Sequence, residues 1–269
     1  MTKNIGIIGC GWLGLPLAEE LHKTGYSIRG TTTSEEKIAL LKSKGIQPFK
    51  ISISEDGING PILEFLSTLS ILIINIPPGL RGKGPKESYI KKIKLLHAAI
   101  RKTEIKRVIF ASSTAVYGEA DGTVTEKTKP VPNTASGVQL LECENLLLND
   151  EKLQTTIIRF GGLIGPERHP ITMLSGRENL KGGNAPINLI HLDDCIGIIK
   201  SIIHHNHWNA ILNAVYPQHP TKEEYYIKEA LKRGIAPPHY ELENNKTYKS
   251  ITTCSLFLIN KYDFLTSIN

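Results

Sequence analysis

The chain of 269 residues is long enough for one large α/β domain, or for a domain of roughly 150 to 200 residues with a smaller one attached. Hydrophobic residues make up 40% and charged residues 22%, which is ordinary globular usage and argues against disorder. The formal net charge is +6, but basic and acidic residues alternate locally, as in SEEKIALLKSK, which favours a solvated basic surface over a nucleic-acid partner.

The spacing of the cysteines and the length of the apolar segments indicate in which cellular compartment the protein is located. Cys10, Cys143, Cys195 and Cys254 lie far apart without a CxxC spacing, so the sequence predicts neither a disulfide framework nor a zinc site, and a reducing cytoplasm fits best. Glycines interrupt the apolar start of the chain, which is not typical of a signal peptide. No stretch approaches the ~20 apolar residues of a membrane span. We therefore expect a cytoplasmic protein without a membrane partner.

Short β-branched segments alternate with amphipathic segments in the first part of the chain. They are bounded by turn residues, as buried parallel strands are. These strand-like segments are NIGII (4–8), YSIRG (26–30), ILIINI (71–76), RVIFAS (107–112) and QTTIIRF (154–160). Between the first two, Leu13, Leu17 and Leu21 recur at helical spacing. The alternation predicts an α/β fold of the Rossmann type, with a doubly wound parallel sheet.

The pattern loosens beyond the last of these strands. Glycine and proline are frequent over 161–186, and a strand-like PINLIH, a helical DDCIGIIKSIIHH and a helix near 221–233 follow. We therefore predict a Rossmann domain over 1–165 and a small C-terminal α+β substrate lobe over most of 166–269, with 187–205 returning to the Rossmann domain. The lobe would cover the carboxyl edge of the sheet, where doubly wound folds bind ligands.

The motif GCGWLG directly follows the first predicted strand and opens a helix, which is the setting of a dinucleotide-binding turn. The first glycine permits the tight bend, the second lets a pyrophosphate approach the main chain, and the third lets helix and strand pack closely. Main-chain N–H groups and the helix dipole then attract phosphate. The motif predicts that the Rossmann domain binds NAD(P) through Gly9, Cys10, Gly11, Trp12, Leu13 and Gly14.

The end of the second strand bears on the choice of cofactor. An acidic residue usually binds the ribose 2′-hydroxyl of NAD there. In this chain RGTTTSEEK has hydroxyls at Thr31, Thr32 and Thr33, so a 2′-phosphate would meet no like charge from these residues, and Arg29 or Lys37 could lie near it. The sequence favours NADP over NAD. The alternative is that a run of threonines simply closes the strand.

Three later segments carry a family resemblance. FASSTAVYG (110–118), RFGGLIGP (159–166) and LIHLDD (189–194) resemble, in order and spacing, the extended short-chain dehydrogenase/reductase proteins, which include NAD(P)-dependent sugar-nucleotide epimerases and dehydratases. The similarity covers nearly the full chain. It implies that Ser113 hydrogen-bonds the reacting oxygen, and that Asn75 and Ser112 lie near the cofactor.

The helix that carries the family's proton-transfer pair lacks both residues in this chain. The family has a Tyr-x-x-x-Lys pair, and alignment on TASGVQLLECENLL (134–147) gives Ser136 and Leu140 at its two positions. A serine hydroxyl is far less acidic than a phenol, and loss of a positioned general acid or base removes roughly 100- to 10,000-fold in rate. Tyr117 and His169 are the two candidates to replace this pair. His169 is a candidate because a histidine side chain gains or loses its proton near neutral pH, as a catalytic acid or base must. The plainer interpretation of His169 is a surface loop histidine.

Three further features have weaker functional interpretations. Arg81 and Lys83, in the loop NIPPGLRGKGPK, could meet an anionic substrate such as a sugar nucleotide, or else belong to a flexible solvated loop. The histidines of HHNH (204–207) lack a ligand that would complete a metal shell, so no metal site is predicted. In HLDD, Asp193 or Asp194 is predicted to cap the following helix.

Two interpretations of function remain open at this point. In the first, the protein is an NAD(P)-binding oxidoreductase, epimerase or dehydratase for a nucleotide sugar or related carbonyl compound, with Ser113 polarising the reacting oxygen. In the second, it binds a dinucleotide without turnover and senses redox state. Family members often pair through two helices, which implies a homodimer through 86–101 and 136–149.

Overall fold

The computed structural model describes residues 3–80, 86–242, 247–253 and 262–268. The strands, numbered in chain order, are β1 (Asn4–Ile8), β2 (Ser27–Thr32), β3 (Gln47–Lys50), β4 (Ser52–Ile53), β5 (Ile58–Asn59), β6 (Ile71–Ile74), β7 (Arg107–Ser113), β8 (Gly122–Val124), β9 (Gln154–Phe160), β10 (Gly162–Ile164), β11 (Leu189–His191), β12 (Ile211–Ala214) and β13 (Lys249–Ile251). The helices are α1 (Gly14–Lys23), α2 (Glu36–Ser43), α3 (Ile62–Leu66), α4 (Tyr89–Ile100), α5 (Ala135–Leu148), α6 (Ile171–Leu174), α7 (Leu192–His204) and α8 (Lys222–Lys232). A single turn of 3-10 helix, Thr114–Tyr117, follows β7.

The main sheet within these ranges is parallel and has the order β12-β9-β7-β6-β1-β2-β3. The chain moves from β1 outward to β3 and then crosses back to β6 on the other side of β1. The strand order therefore reverses between β1 and β6, and the carboxyl ends of these two strands flank the crevice in which doubly wound folds bind ligands. The predicted Rossmann fold is confirmed.

Two hydrophobic layers cover the sheet, one on each face. Residues of α1 and α7 pack on one face, and residues of α4 and α5 pack on the other. Because both faces are covered, the central strands are apolar throughout instead of alternating, and all four residues of β6 are buried. No helix in the described ranges is both long enough and apolar enough to cross a membrane.

The smaller lobe is built around α6 and α8. Its buried cluster includes Ile171, Ile187, Tyr225 and Tyr226. The main sheet also takes in β12, which pairs with β9, although the sequence analysis assigned this stretch to the lobe. The sequence did indicate that α7 returns to the Rossmann domain, and α7 does pack beside α1. The full division into two domains stays a prediction.

The start of α7 differs from the prediction. Its N-cap is His191, whose Nδ1 accepts a hydrogen bond from the main-chain N–H of Asp193 at 3.2 Å, so the assignment of the cap to Asp193 or Asp194 was wrong. Asp194 is fully buried, and its carboxylate accepts hydrogen bonds from the Leu265 N–H at 2.6 Å and from the Thr266 hydroxyl. Asp194 therefore anchors the C-terminal segment to the first turn of α7.

Candidate functional site

Close packing accounts for the first and third glycines of the turn between β1 and α1. Gly9 has φ +99°, and a Cβ there would lie 2.7 Å from the Asn75 carbonyl oxygen. A Cβ on Gly14 would lie 2.1 Å from the Gly9 carbonyl oxygen. The amide of Asn75 donates to that same Gly9 oxygen at 3.2 Å. Both positions exclude a side chain, and Asn75 joins the end of β6 to the turn.

The second glycine of the turn has a different environment. Gly11 is exposed, and no atom lies within 4 Å of the position that its Cβ would occupy. The main chain is therefore open at this point, as the approach of a diphosphate requires. The turn lies at the amino end of α1, whose dipole attracts negative charge.

The other residues of the turn have separate surroundings. Leu13 is buried in the core, and so is the Cys10 side chain. Burial raises the pKa of the Cys10 thiol to about 12, so the thiol is protonated and unreactive near neutral pH. Trp12 points across the crevice, and its indole Nε1 donates to the carbonyl oxygen of Pro166 at 3.0 Å.

Two hydroxyls at the end of β2 serve the protein's own main chain. Thr31 is buried, and its Oγ1 accepts a hydrogen bond from Gly9 N at 3.0 Å. Thr32 Oγ1 accepts from Ser34 N at 3.1 Å. Thr33 is exposed. The run of threonines thus both closes the strand and supports the glycine turn, and Thr33 is the threonine open to a ligand.

Arg29 does not serve the cofactor in the way that the sequence suggested. Its Nη1 donates to the carbonyl oxygens of Glu64, Phe65 and Ser67 at 2.6 to 3.1 Å. Its guanidinium also lies over the Phe49 ring, 5.7 Å from the centroid. The suggestion that Arg29 lies near a 2′-phosphate was wrong, because these carbonyls at the end of α3 already bind its donors.

Ser113 occupies the carboxyl end of β7, beside β6 and two strands from β1. Its side chain is half-buried, and its Oγ accepts a hydrogen bond from Ala115 N at 3.2 Å. The hydroxyl proton is not used in that bond. The fold therefore places the glycine turn, Asn75 and Ser113 at the carboxyl ends of three adjacent strands.

Helix α5 begins against the 3-10 turn that follows Ser113. A Cβ on Gly137 would lie 2.6 Å from the Ala115 carbonyl oxygen, so the two elements are in close contact. Ser136 is half-buried in the first turn of α5, whereas Leu140 is buried in the core. The sequence of α5 contains no tyrosine and no lysine. This helix therefore supplies neither a phenol nor an ammonium group next to Ser113.

A buried polar network lies beneath this end of the sheet. Ser112 Oγ donates to Glu144 at 2.5 Å, and Arg159 forms hydrogen bonds to both carboxylate oxygens of Glu144 at 2.6 to 3.2 Å. The side chains of Arg159 and Glu144 are 3% and 1% exposed. The Ser112 hydroxyl is directed to Glu144 in the interior, so the prediction that Ser112 lies near the cofactor gains no support from this side chain. The arginine within the mostly buried strand β9 was the available signal for this pair.

Tyr117 belongs to the same network. Its hydroxyl donates to Asn213 Oδ1 at 2.8 Å and accepts from Arg159 Nη1 at 2.9 Å. The residue is 2% exposed, and burial raises the pKa of its phenol. Tyr117 therefore serves this internal network, and its burial gives no support to the hypothesis that it replaces the missing tyrosine.

His169 is part of the lobe's interior. Its Nε2 lies 3.0 Å from the Tyr225 hydroxyl, and its Nδ1 accepts from Ile171 N at 3.2 Å. Burial, followed by the charge of Arg233, lowers the pKa of the imidazole to about 4. His169 is therefore neutral near pH 7 and joins α6 to α8. This placement gives no support to the hypothesis that His169 acts as a catalytic acid or base.

Lys249 is a basic residue near the site that the sequence analysis missed. It lies on β13, and its ammonium donates to the carbonyl oxygen of Gly118, just after the 3-10 turn that follows Ser113. It is half-buried, and burial lowers the pKa of its ammonium. The weakly patterned tail around it contained no signal that would have placed it there.

Other sequence-based candidates lie elsewhere. Arg81 and Lys83 lie outside the described residues. The His205 imidazole lies 3.0 Å from the carbonyl oxygen of Ser201, and its ring meets that of His204 edge-on. Within the part of the chain that the structure describes, no group of three or more potential metal ligands is found.

These features define a dinucleotide-binding protein of the Rossmann class. The chain belongs to the NAD-dependent epimerase/dehydratase family. The model of that family matches residues 86–209, and the model of the NAD-binding domain of 6-phosphogluconate dehydrogenase matches residues 4–56. The resemblance inferred from the sequence motifs is confirmed.

Named relatives and a solved structure extend this likeness. Protein YeeZ of Escherichia coli K12 is 34% identical over 239 residues, covering 88% of this chain and 86% of YeeZ. YtcB of Bacillus subtilis, named as an uncharacterised UDP-glucose epimerase, is 26% identical over 177 residues, covering 60% of this chain and 56% of YtcB. UDP-glucuronic acid 4-epimerase from Bacillus cereus in complex with NAD has a TM-score of 0.81 at 18% identity, covering 98% of this chain and 93% of that chain.

Proposed function

We propose that the protein binds NAD(P) at the glycine turn and acts as an epimerase, dehydratase or related oxidoreductase on a nucleotide sugar. The observation that carries this proposal is the open main chain at Gly11 in the same crevice as the half-buried hydroxyl of Ser113. The epimerases among the similar proteins are named for UDP-sugars, which supports this class of substrate.

The residues present fit a dinucleotide. The space beside Gly11 admits a diphosphate against the main chain, and the amino end of α1 attracts its charge. When bound, the nicotinamide ring exchanges a hydride with the substrate. Because Ser113 Oγ accepts its main-chain bond, its proton is free to be donated to the reacting oxygen. Asn75 positions the turn through its bond to Gly9.

Proton transfer needs a group outside α5, since Ser136 and Leu140 cannot supply it. Lys249 is our candidate, because its ammonium contacts the main chain just after the turn that follows Ser113. Burial favours the neutral amine, which brings the lysine closer to the range in which it can exchange a proton.

The second candidate function is dinucleotide binding without turnover, in which the protein senses redox state. The observation in its favour is that α5 carries serine and leucine at the two proton-transfer positions. In this case the glycine turn binds the cofactor, and the lobe signals to a partner whether a cofactor is bound.

We further propose NADP as the preferred cofactor, a cytoplasmic location and a homodimer. Thr33 is exposed at the end of β2, and none of the threonines there carries negative charge. Three described cysteines, Cys10, Cys143 and Cys195, are free and buried, as suits a reducing compartment. Helices α4 and α5 pack side by side and are the candidate dimer surface.

The proposal is tested first by calorimetric titration with NADPH and NADH in parallel, followed by incubation of the loaded protein with UDP-glucuronic acid or UDP-glucose. We expect micromolar or tighter binding, with NADPH the tighter ligand, and new sugar signals by NMR that are lost in Ser113→Ala. Binding without any new product would favour the sensor. If neither dinucleotide binds, both functions are rejected.

A further inference from the structure

Residues 165–168, called the Arg168 turn below, form a tight turn opposite the glycine turn. Gly165 N donates to the Arg168 carbonyl oxygen at 2.9 Å, and Arg168 N donates to the Gly165 carbonyl oxygen at 3.1 Å. Pro166 and Glu167 lie between them, and Glu167 has φ +55°, a conformation that glycine or asparagine adopts more readily. The chain maintains this turn although the residue at its tip is unfavourable there.

The Arg168 turn contacts the residue that follows Gly11. The Trp12 indole donates to the carbonyl oxygen of Pro166 at 3.0 Å. A Cβ on Gly165 would lie 3.0 Å from the indole ring, so a glycine at this position lets the turn approach closely. The Arg168 guanidinium carbon lies 4.8 Å from the centroid of the indole, which is the geometry of a cation–π contact. Three contacts thus dock this turn on the glycine turn.

Arg168 has no acidic ion-pair partner among the residues that the structure describes. The residue is exposed, and its guanidinium has no ion-pair or hydrogen-bond partner in the described part of the chain. The contact with the indole restrains the guanidinium at this place. A guanidinium presents its donors in a fork that matches the oxygens of a phosphate.

We propose that Arg168, held in place by Trp12, binds the diphosphate of the dinucleotide and closes the Arg168 turn over it. This inference rests on the proposed function, because it assigns the ligand of the same crevice. The diphosphate is the ligand group that fits, since Trp12 directly follows the open main chain of Gly11. Arg168 then adds positive charge on the side of the ligand opposite α1.

The chain contains a matched control for this arginine. Arg107 also stacks on a tryptophan, Trp208, with its guanidinium carbon 5.3 Å from the ring centroid. It lies at the amino end of β7, the edge of the sheet opposite the glycine turn. Arg168→Met and Arg107→Met therefore remove the same charge and the same kind of stacking at two places.

The experiment measures the affinity of the wild type and both variants for NADPH, NADH and ADP-ribose by calorimetry at two salt concentrations. We expect Arg168→Met to weaken all three ligands about tenfold and to reduce their salt dependence, because they share the diphosphate. Arg168→Lys should recover part of the loss, and Arg107→Met should bind like the wild type.

Two results would overturn the inference while leaving cofactor binding intact. One is wild-type affinity of Arg168→Met for all three ligands. The other is a loss for NADPH and NADH without a loss for ADP-ribose, which would place the guanidinium at the nicotinamide end. If the wild type binds none of the three, the proposed function and this inference fall together. Thermal unfolding of each variant shows whether a loss reflects misfolding.

Discussion

The glycine turn and the network beneath Ser113 use their polar groups in opposite ways. At the turn, Gly11 exposes its main chain to the crevice, and Trp12 holds an arginine that has no acidic partner in the described residues. In the network, Glu144 and Arg159 are almost completely buried and bind each other. A polar group whose hydrogen bonds are all made inside the protein stabilises the fold, and it cannot also bind a ligand.

Breaking the network should have the largest effect. Glu144→Gln leaves the Arg159 guanidinium buried without a countercharge, and we expect the free energy of unfolding to fall by about 3 to 5 kcal/mol in urea denaturation. Glu142→Gln, at an exposed position of the same helix, is the control. The double variant Glu144→Leu with Arg159→Met should recover much of the loss. A loss below about 1 kcal/mol in Glu144→Gln would contradict the role we assign to the pair.

His169 in the lobe resembles the Glu144–Arg159 network, because it is also buried and forms its hydrogen bonds inside the protein. Its folded pKa of about 4 lies below the ordinary value of 6.5, so the unfolded chain binds the proton more readily. Stability from this group is fully present above pH 6.5 and is lost as the pH falls toward 4, by on the order of 3 kcal/mol. Urea denaturation at several pH values in this range gives the free energy of unfolding as a function of pH. This free energy should depend less steeply on pH in His169→Gln than in the wild type, whereas the exposed His205→Gln should keep the wild-type pH dependence. The same pH dependence of stability in all three proteins would contradict the lowered pKa of His169.

Two glycines of the same turn sharpen the comparison. Gly14→Ala places a methyl group 2.1 Å from a carbonyl oxygen, and we expect it to lower the free energy of unfolding by about 2 kcal/mol. Gly11→Ala meets no protein atom, so stability should stay within about 0.5 kcal/mol of the wild type. Its dinucleotide affinity should nevertheless fall about tenfold in calorimetry, since the methyl group occupies the space of the diphosphate. Unchanged affinity would show that the ligand does not approach the turn at this point.

The smallest expected effect concerns the choice of dinucleotide. Thr33→Asp adds negative charge at the exposed end of β2 and should shift the ratio of NADPH to NADH affinity about fivefold toward NADH, near 1 kcal/mol. Thr33→Asn has a similar size without the charge and is the control. Competition binding measures the ratio directly. An equal loss of both ligands would show that Thr33 does not face the ribose 2′ position.

The sequence by itself determined the features that depend on the local main chain. Gly9 and Gly14 occur where a Cβ would meet a carbonyl oxygen, and continuous β-branched runs such as β6 indicated the buried parallel strands. Strand β3 was not predicted, and the stretch that forms β12 was assigned to the C-terminal lobe. Each is only four residues long and carries polar residues, so pairing with a neighbouring strand decides its place.

Only the tertiary structure decided the partners of the polar side chains. Tyr117 and His169 have the chemistry of catalytic groups, yet packing directs one to Arg159 and Asn213 and the other to Tyr225. The position of Lys249 likewise depends on the pairing of β13 with β8, far apart in the chain. The local spacing of residues determines where the main chain bends. The direction and burial of a side chain depend instead on contacts between distant segments of the chain. These contacts therefore decide which groups a ligand can reach.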